Sequence, residues 1–368
     1  MSKHEMPQGP IWWSKMSGLG KGSIIAAVSI VAVLILVVGI VGGKAADLLS
    51  KLHRDEEFSD LNNSELGIDV ELPEEIYNIA LFGIDTRDPK SFKGNSDSIM
   101  ILSINQTSKE LKMVSIMRDS LVPIERNGSI TYGKINSAYA YGEAELAVKT
   151  LNSVYNLNIQ DYATVNFYGM ADIIDAVGGI DVEVLQAEID DEDFGINEMI
   201  SSQCEKLGLD KKDYLVKTPG KQRLNGVQAV AYARIRKTAT ANGTANDFGR
   251  VERQQYVMQQ LLNKALALKE WNQYLELAEA LAPYVKTSLT NNDMMALAKV
   301  LSGGPTMVQT RVPGDEYIID RDFRESGAST VYYNYEYAAE IIHAFLYDGI
   351  SPEDFMAQNP VDKTPWYN

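Results

Sequence analysis

Arginines are concentrated in one short stretch of an otherwise acidic chain. The stretch runs from residue 232 to residue 254: Tyr-Ala-Arg-Ile-Arg, a loop rich in Thr, Ala, Asn and Gly, then Asp-Phe-Gly-Arg-Val-Glu-Arg-Gln. Its candidate phosphate-binding side chains are Arg234, Arg236, Arg250, Arg253 and Gln254. A guanidinium group binds phosphate through two parallel hydrogen bonds, which a lysine ammonium group cannot match. The stretch therefore predicts a clamp for an oxyanion or a pyrophosphate.

The spacing within this stretch predicts how the side chains are presented. Arg234 and Arg236 alternate, so they project together if the backbone there is extended. If the segment from Asp247 is helical, Arg250 and Arg253 share one face of the helix. Asp247 then stands where it can cap that helix. The alternative interpretation is an amphipathic helix whose charges are solvated.

Two further clusters contain carboxylates. Asp85 follows an apolar run in Gly-Ile-Asp-Thr-Arg, and Asp97 begins the next apolar run. Open α/β sheets bind ligands beyond the carboxyl ends of their strands, and two carboxylates there could share a Mg²⁺ ion with a phosphate ligand. The alternative is that both cap turns. The second cluster, Arg118-Asp119 followed by Lys134-Ile135-Asn136, is also a candidate for chemistry, and its alternative interpretation is a surface ion pair and a solvated lysine.

Scarce residue types exclude several kinds of site. The chain has one cysteine, Cys204, and three histidines, so a disulfide within the chain, a multi-cysteine zinc site and a histidine-ligated metal are not expected. His343 lies in an apolar helical stretch, which is typical of a core position, and a serine–histidine triad is not expected either. The formal net charge of -16 argues against a protein that coats nucleic acid. Acid–base or metal chemistry then falls to carboxylates, which favour Mg²⁺.

An uncharged apolar segment predicts a membrane anchor. Residues 22–43 carry no charge and are bracketed by Lys21 and Lys44, and about 20 apolar residues span a bilayer core. A cleaved signal peptide is the alternative, but its apolar region would be shorter. The flanking lysines barely discriminate between orientations, whereas Trp12 and Trp13 suit a membrane interface on the N-terminal side.

The remainder predicts a mixed α/β fold, an α-β-α sandwich on a mixed central sheet. Strands are predicted at 78–84, 98–104, 111–116, 163–167, 180–185 and 307–312, with the second and third forming an antiparallel hairpin. Helices are predicted at 143–156, 169–177, 224–233, 247–268, 274–284, 292–301 and 335–347. Residues 188–220 are acidic and then mixed, which indicates an insertion or a long loop.

Together, and in order, these motifs resemble the LytR-CpsA-Psr family. The set comprises an N-terminal anchor, Gly-x-Asp-x-Arg, a Ser-Asp-Thr-like strand start, Ser-Ile-x-Arg-Asp, Lys-Ile-Asn, Gly-Gly-Ile-Asp-Val, Leu-Asn-Gly, and Tyr-x-Arg-x-Arg with Asp-Phe-Gly-Arg-x-x-Arg-Gln. The resemblance covers roughly residues 77–268. It implies an enzyme that transfers a glycopolymer, such as a teichoic acid or capsular polysaccharide, from a polyprenyl-pyrophosphate carrier to a peptidoglycan hydroxyl.

The resemblance also implies roles for single residues. The expected pyrophosphate-binding residues are Arg87, Arg118, Arg234, Arg236, Arg250, Arg253 and Gln254. Asp85 and Asp97 would hold Mg²⁺. Arg118 and Arg250 would take part in catalysis, and Asp247 would act as a base for the acceptor hydroxyl or orient the arginines. Phosphoryl transfer depends mainly on positioning and charge stabilisation, so no histidine or cysteine is required.

The implied organisation is a single-pass membrane protein with an extracellular catalytic domain. Residues 1–21 would be cytoplasmic, 22–43 the anchor, 44–76 a juxtamembrane stalk, 77–350 the catalytic domain and 351–368 a C-terminal tail. The chain departs from the family where Asn95 replaces a common arginine and Met117 a common proline. A non-catalytic polyprenyl-phosphate-binding regulator and a polyprenyl-pyrophosphate hydrolase are the alternative functions.

Overall fold

The computed structural model describes residues 51–84, 86, 88, 91–243, 246–268, 270–302, 307–324 and 329–367. The predicted anchor at 22–43 lies outside these ranges, as do Asp85 and Arg87. Within them, no helix combines the length and the apolar character that a membrane crossing needs.

Strands and helices are mixed along the chain. The strands are β1 His53–Arg54, β2 Ile76–Ile84, β3 Ser96–Asn105, β4 Leu111–Ile116, β5 Leu121–Arg126, β6 Ser129–Lys134, β7 Asp161–Asn166, β8 Ile180–Val184, β9 Gly220–Leu224, β10 Val285–Thr287, β11 Met307–Val312, β12 Ile318–Phe323 and β13 Thr330–Tyr333. The helices are α1 Glu56–Ser59, α2 Ser137–Tyr155, α3 Met170–Ala176, α4 Gln186–Asp190, α5 Ile196–Leu207, α6 Gly226–Arg234, α7 Asn246–Leu266, α8 Trp271–Leu281, α9 Asn291–Ser302, α10 Tyr335–His343 and α11 Pro352–Gln358.

These elements form two compact units where a single catalytic domain was predicted. The sheet unit contains the described residues of 30–173 and 269–368, and the helical unit contains those of 174–268. Most elements lie within a few residues of their predicted bounds, including the strand at 307–312 and the helix at 247–268.

The sheet unit is built on a seven-stranded mixed sheet in the order β1-β10-β7-β2-β3-β4-β11. β3 and β4 form the predicted antiparallel hairpin, whereas β2 pairs with β7 in parallel. Neighbouring side chains of β2 are buried on both faces, among them Leu81 and Phe82. This explains why the run is continuously apolar rather than alternating. On one face, Phe82 packs with residues of α2 and α10 in a single core cluster.

The folded region begins earlier than the predicted boundary at residue 77. His53 pairs with Lys286 at the sheet edge, and Phe58 and Leu66 are buried in the main core cluster. Asp55 caps α1 and forms an ion pair of 3.0 Å with Lys286. Residues 52–68 are therefore part of the sheet unit and not of a free stalk.

The predicted C-terminal tail is also folded. Helix α11 covers Pro352–Gln358, and Phe355 packs against the core cluster. Farther on, the Trp366 indole donates to the carbonyl of Tyr333 at 2.6 Å. The aromatic residues of the tail thus find partners on β13.

The helical unit contains the segment predicted as a long loop at 188–220. Of the two alternatives predicted for this segment, the long loop was wrong, because the segment forms α5 and most of α4 before β9 pairs with β8; the insertion stays a prediction. Ile196, Ile200 and Cys204 recur every four residues and are buried, so they form the apolar stripe of a helix. Because the residues around the stripe are acidic, the composition of the segment predicted a loop, although the spacing of the apolar residues indicates a helix.

Candidate active site

Three strands of the sheet unit bring motifs that are far apart in the sequence to one edge of the sheet. At this edge β2 and β4 end and β3 begins. The antiparallel pairing of Ile99 with Ile116 places the start of β3, with Asp97, beside the end of β4, after which Arg118 follows. Ile84, the last residue of β2, pairs with Ser96 at the same edge. This is the kind of edge at which α/β sheets bind ligands.

Backbone hydrogen bonds hold these segments together. The Ser96 amide donates to the carbonyl of Asn136 at 3.3 Å, and the Asn136 amide donates to the carbonyl of Arg118 at 3.3 Å. Asn136 is buried. The Lys-Ile-Asn motif therefore ties the Asp97 segment to the Arg118 segment.

The charged side chains at this edge form a connected network. The Arg118 Nη1 atom lies 2.7 Å from Asp97 Oδ1, and its Nε atom lies 3.5 Å from Asp119 Oδ2. Lys134 Nζ donates to Asp119 Oδ1 at 2.6 Å. The predicted surface ion pair and solvated lysine are thus one linked group of four charges, with Arg118 at its centre.

Arg118 remains accessible within this network. Its side chain is 48% exposed. Partial burial works to lower the pKa of its guanidinium, but the carboxylates of Asp97 and Asp119 outweigh this effect and hold the pKa above its ordinary value. Arg118 is therefore a permanent cation that can exchange a carboxylate contact for a phosphate contact.

The loop after β2 carries the other two predicted residues of this edge. The side-chain amide of Asn166, which is buried, donates to the carbonyls of Asp88 and Ser91 at 3.1 and 2.9 Å. These bonds hold the backbone at Asp88 and Ser91. Asp85 and Arg87 lie outside the described residues, so the structure does not bear on their predicted roles.

The helical unit presents the arginine stretch differently from the prediction. Arg234 is the last residue of α6 and donates to Gln203 Oε1 at 2.9 Å, so it does not lie on an extended backbone. Arg236 follows the helix and is exposed. On α7, Arg250 is half-buried and Gln254 is exposed.

Arg253 is sealed inside the helical unit. It and Glu188 are each 1% exposed, and they form an ion pair of 2.7 Å. The guanidinium also donates to the carbonyls of Ile235 and Thr238, at 3.5 and 3.0 Å. The expectation that Arg253 binds pyrophosphate is therefore corrected, because its donors are engaged inside the protein.

This buried pair fixes the backbone on both sides of Arg236. Ile235 and Thr238, whose carbonyls Arg253 holds, flank that residue. The Thr238 hydroxyl also donates to Asp191 Oδ2 at 2.7 Å. Asp191 and Glu188 belong to the segment that had no predicted function, and through Thr238 and Arg253 they hold the backbone at residues 235–238.

The sequence analysis assigned no role to Glu188 or Asp191. One feature of the sequence did indicate that Arg253 is buried. Arg253, Val257 and Leu261 recur every four residues on α7, and all three are buried. This is the spacing of a core-facing stripe. Gln254, one residue further on, faces solvent.

Asp247 lies in the first turn of α7, which begins at Asn246. A carboxylate in the first turn is favoured by the helix dipole. Its side chain is not among those described. Among the described residues, no three carboxylate, histidine or cysteine side chains are grouped as a metal site.

The protein belongs to the LytR_cpsA_psr family, whose sequence profile matches residues 37–343. Similar curated proteins include the polyisoprenyl-teichoic acid–peptidoglycan teichoic acid transferase TagU of Enterococcus faecalis, 30% identical over 76% of this chain and 84% of that protein. The corresponding TagV of Bacillus subtilis is 31% identical over 73% of this chain and 65% of that protein.

A solved structure is also similar. The crystal structure of protein gbs0355 from Streptococcus agalactiae is 26% identical, covers 74% of this chain and 88% of that chain, and has a TM-score of 0.51. The mixed α/β fold predicted from the sequence is therefore confirmed by both the central sheet and this likeness.

Proposed function

We propose that this protein transfers a glycopolymer from a polyprenyl-pyrophosphate carrier to a peptidoglycan hydroxyl group. Family membership and the names of the curated relatives support this reaction. The observation that carries the proposal is the half-exposed Arg118, set between Asp97 and Asp119 at the edge of the sheet.

The reaction is a phosphoryl transfer. The acceptor hydroxyl attacks the phosphorus that bears the glycopolymer, and a new phosphodiester bond forms. The bond from that phosphorus to the bridging oxygen breaks, the hydroxyl proton passes to a base, and polyprenyl phosphate leaves. Negative charge builds on the phosphate oxygens, so a fixed cation at that point lowers the barrier.

In the sheet unit, Arg118 would bind a phosphate oxygen of the donor. Asp97 and Asp119 keep the guanidinium oriented before the donor arrives, and Lys134 balances part of their charge. Such preorganisation means that little rearrangement is needed when charge develops.

In the helical unit, the accessible members of the arginine stretch would bind donor phosphate oxygens. These are Arg234, Arg236, Arg250 and Gln254. Their support is the family match together with their exposed or half-buried placement. Asp247 would accept the proton of the acceptor hydroxyl or orient the arginines. Arg253 is excluded from this group because it is buried with Glu188.

Mg²⁺ is the cofactor that we propose. Asp97 would hold it together with Asp85, since Mg²⁺ is usually bound by one or two carboxylates plus substrate phosphates and water. The half-exposed carboxylate of Asp97, at the edge where Arg118 lies, fits this role. When bound, the ion would neutralise charge on the pyrophosphate.

The remaining expectations concern location. We propose that residues 22–43 anchor the chain in the cell membrane and that the folded part faces outward, where peptidoglycan is found. The uncharged run of these residues supports an anchor. The orientation rests on the family.

The test is a transfer assay with the full chain in detergent micelles, Mg²⁺, a labelled lipid-linked glycopolymer and peptidoglycan. We expect label on the peptidoglycan and release of polyprenyl phosphate. Arg118→Ala should lower the rate by about 10²-fold or more, the scale of losing one charge-stabilising donor. Arg126→Ala is the matched control, since Arg126 stacks on Tyr141 in the same unit.

Other outcomes would identify a different function. Label found only in solution would show a hydrolase. Binding of polyprenyl phosphate without any turnover would support a regulator. An equal rate for Arg118→Ala and wild type would remove Arg118 from the reaction.

A further inference from the structure

One face of the β5–β6 hairpin continues outward from the Arg118 network. Successive side chains of a strand point to opposite faces, so Ile130, Tyr132 and Lys134 of β6 share one face. Lys134 belongs to the charge network through Asp119. Tyr132 is two residues away, about 7 Å along the strand.

The end of the chain adds two aromatic rings to this face. The ring of Tyr132 lies 4.8 Å from that of Tyr367 and 5.5 Å from that of Trp366. The backbone amides of Trp366 and Tyr367 both donate to the Tyr332 hydroxyl, at 2.8 and 2.9 Å. The rings are therefore held by the protein in fixed positions.

This group remains open to solvent. Ile130 is 63% exposed and Tyr132 is 45% exposed, and Trp366 and Tyr367 are partly exposed. We call these four residues the aromatic strip. Large apolar side chains grouped on a surface indicate a binding site more often than scattered ones do.

The chemistry of the aromatic strip suits a sugar. The C–H groups on one side of a pyranose ring pack on the electron-rich face of an aromatic ring, while the sugar hydroxyls stay in water. The charges around the strip select the kind of sugar. Glu336, which is exposed, follows Tyr335, whose ring contacts Trp366 at 4.8 Å. Glu125 lies opposite Ile130 across the hairpin, but it forms an ion pair of 3.2 Å with Lys149. The carboxylate of Glu336 next to the strip therefore disfavours a polyanionic polymer.

We propose that the aromatic strip binds an uncharged glycan chain, namely the sugar strand of the acceptor. This inference rests on the proposed function, in which the acceptor hydroxyl reaches the phosphate near Arg118. Ile130 and Tyr132 of the strip share one face of β6 with Lys134. A glycan chain bound to the strip would therefore extend toward the Arg118 network. The strip thereby increases the local concentration of acceptor at that network.

The test uses isothermal titration calorimetry to measure the affinity of the full chain, in detergent micelles, for an uncharged N-acetylglucosamine hexasaccharide. We expect Tyr132→Ala and Tyr132→Leu to weaken binding at least 10-fold, and Tyr132→Phe to bind as wild type does, because only the ring is required. Tyr141→Ala is the matched control, since Tyr141 is 55% exposed on α2 and lies outside the strip.

Folding is monitored in the same samples by thermal melting. Trp366 and Tyr367 donate their hydrogen bonds to the Tyr332 hydroxyl and the Tyr333 carbonyl, not to Tyr132. The Tyr132→Leu variant keeps apolar volume at the site, so loss of binding by a folded Tyr132→Leu protein reports the missing ring and supports the proposal.

Two results would overturn the proposal. One is hexasaccharide binding that is equal in Tyr132→Leu and wild type. The other is poly(glycerol phosphate) binding that depends on Tyr132 when hexasaccharide binding does not. Failure of the transfer reaction is a separate result. A wild-type protein that binds the hexasaccharide through Tyr132 but transfers no polymer would refute the proposed function. It would still support the proposed glycan-binding site.

Discussion

Arg118 and Arg253 lie in two different motifs, and the family resemblance predicts that both bind pyrophosphate. The structure separates them. Arg118, in the sheet unit, is 48% exposed beside Asp97, whereas Arg253, in the helical unit, is 1% exposed beside Glu188. Of the two, only the guanidinium of Arg118 is exposed enough to meet a phosphate from solution. The buried Arg253 instead holds the backbone on both sides of Arg236.

A third ion pair lies between these extremes. Asp55 and Lys286 are 15% and 22% exposed in their side chains, and Tyr162 donates a hydrogen bond to Asp55. The cost of losing one partner depends on how far the other is desolvated. The three pairs therefore predict a graded series of stability losses that follows burial.

The largest loss is expected from Glu188→Ala. It leaves the guanidinium of Arg253 buried without its carboxylate, which costs about 3–5 kcal/mol of unfolding free energy. The double variant Glu188→Leu with Arg253→Met should recover part of that loss, because apolar side chains of similar volume can replace a buried pair, but the carbonyls of Ile235 and Thr238 lose the donor that Arg253 supplies. Urea unfolding measures both. A loss of unfolding free energy below 1 kcal/mol for Glu188→Ala would contradict the burial of the Glu188–Arg253 ion pair.

An intermediate loss, about 2 kcal/mol at neutral pH, is expected from Asp55→Asn, which removes charged hydrogen bonds. Burial works to raise the pKa of the Asp55 carboxyl, but the hydrogen bonds from Tyr162 and Lys286 outweigh it and hold the pKa below its ordinary value. A depressed pKa means that the stabilisation is present above the unfolded-state pKa and is lost as pH falls through the folded-state value.

The difference between wild type and Asp55→Asn should therefore shrink once pH falls below about 4. Unfolding curves from pH 7 to pH 3 check this. A difference that stayed constant over that range would show that Asp55 is not stabilised as a carboxylate.

The smallest change in stability is expected from Arg118→Ala. Exposed ion pairs contribute about 0–1 kcal/mol, so the urea midpoint should stay close to that of wild type. A loss above 2 kcal/mol would place Arg118 among the structural residues and weaken its assignment to the reaction.

The sequence predicted the sheet better than the site. Continuous apolar runs such as residues 78–84 define buried strands whatever surrounds them, so β2, β3 and β4 were confirmed. The Ser-Ile-x-Arg-Asp and Lys-Ile-Asn motifs were found, but not their connection, because that depends on the pairing of Asn136 with Ser96 and Arg118.

Other features depend on contacts between distant parts of the chain. Glu188 and Arg253 are 65 residues apart, and no local pattern links them. The same holds for His53, which joins the sheet through Lys286. Local polarity predicted a stalk at residues 44–76 and a loop at residues 188–220. Contacts with distant parts of the chain fold both segments instead.

The most direct test of the contrast between the two arginines is the rate of polymer transfer to peptidoglycan in two variants measured side by side. Arg118→Ala removes the exposed guanidinium, and Glu188→Leu with Arg253→Met removes the sealed one. We expect a drop of about 10²-fold or more for Arg118→Ala and a clearly smaller drop for the folded double variant, which keeps every exposed guanidinium but loses the hydrogen bonds that hold the backbone beside Arg236. Equal losses in the two variants, or a normal rate for Arg118→Ala, would contradict this expectation.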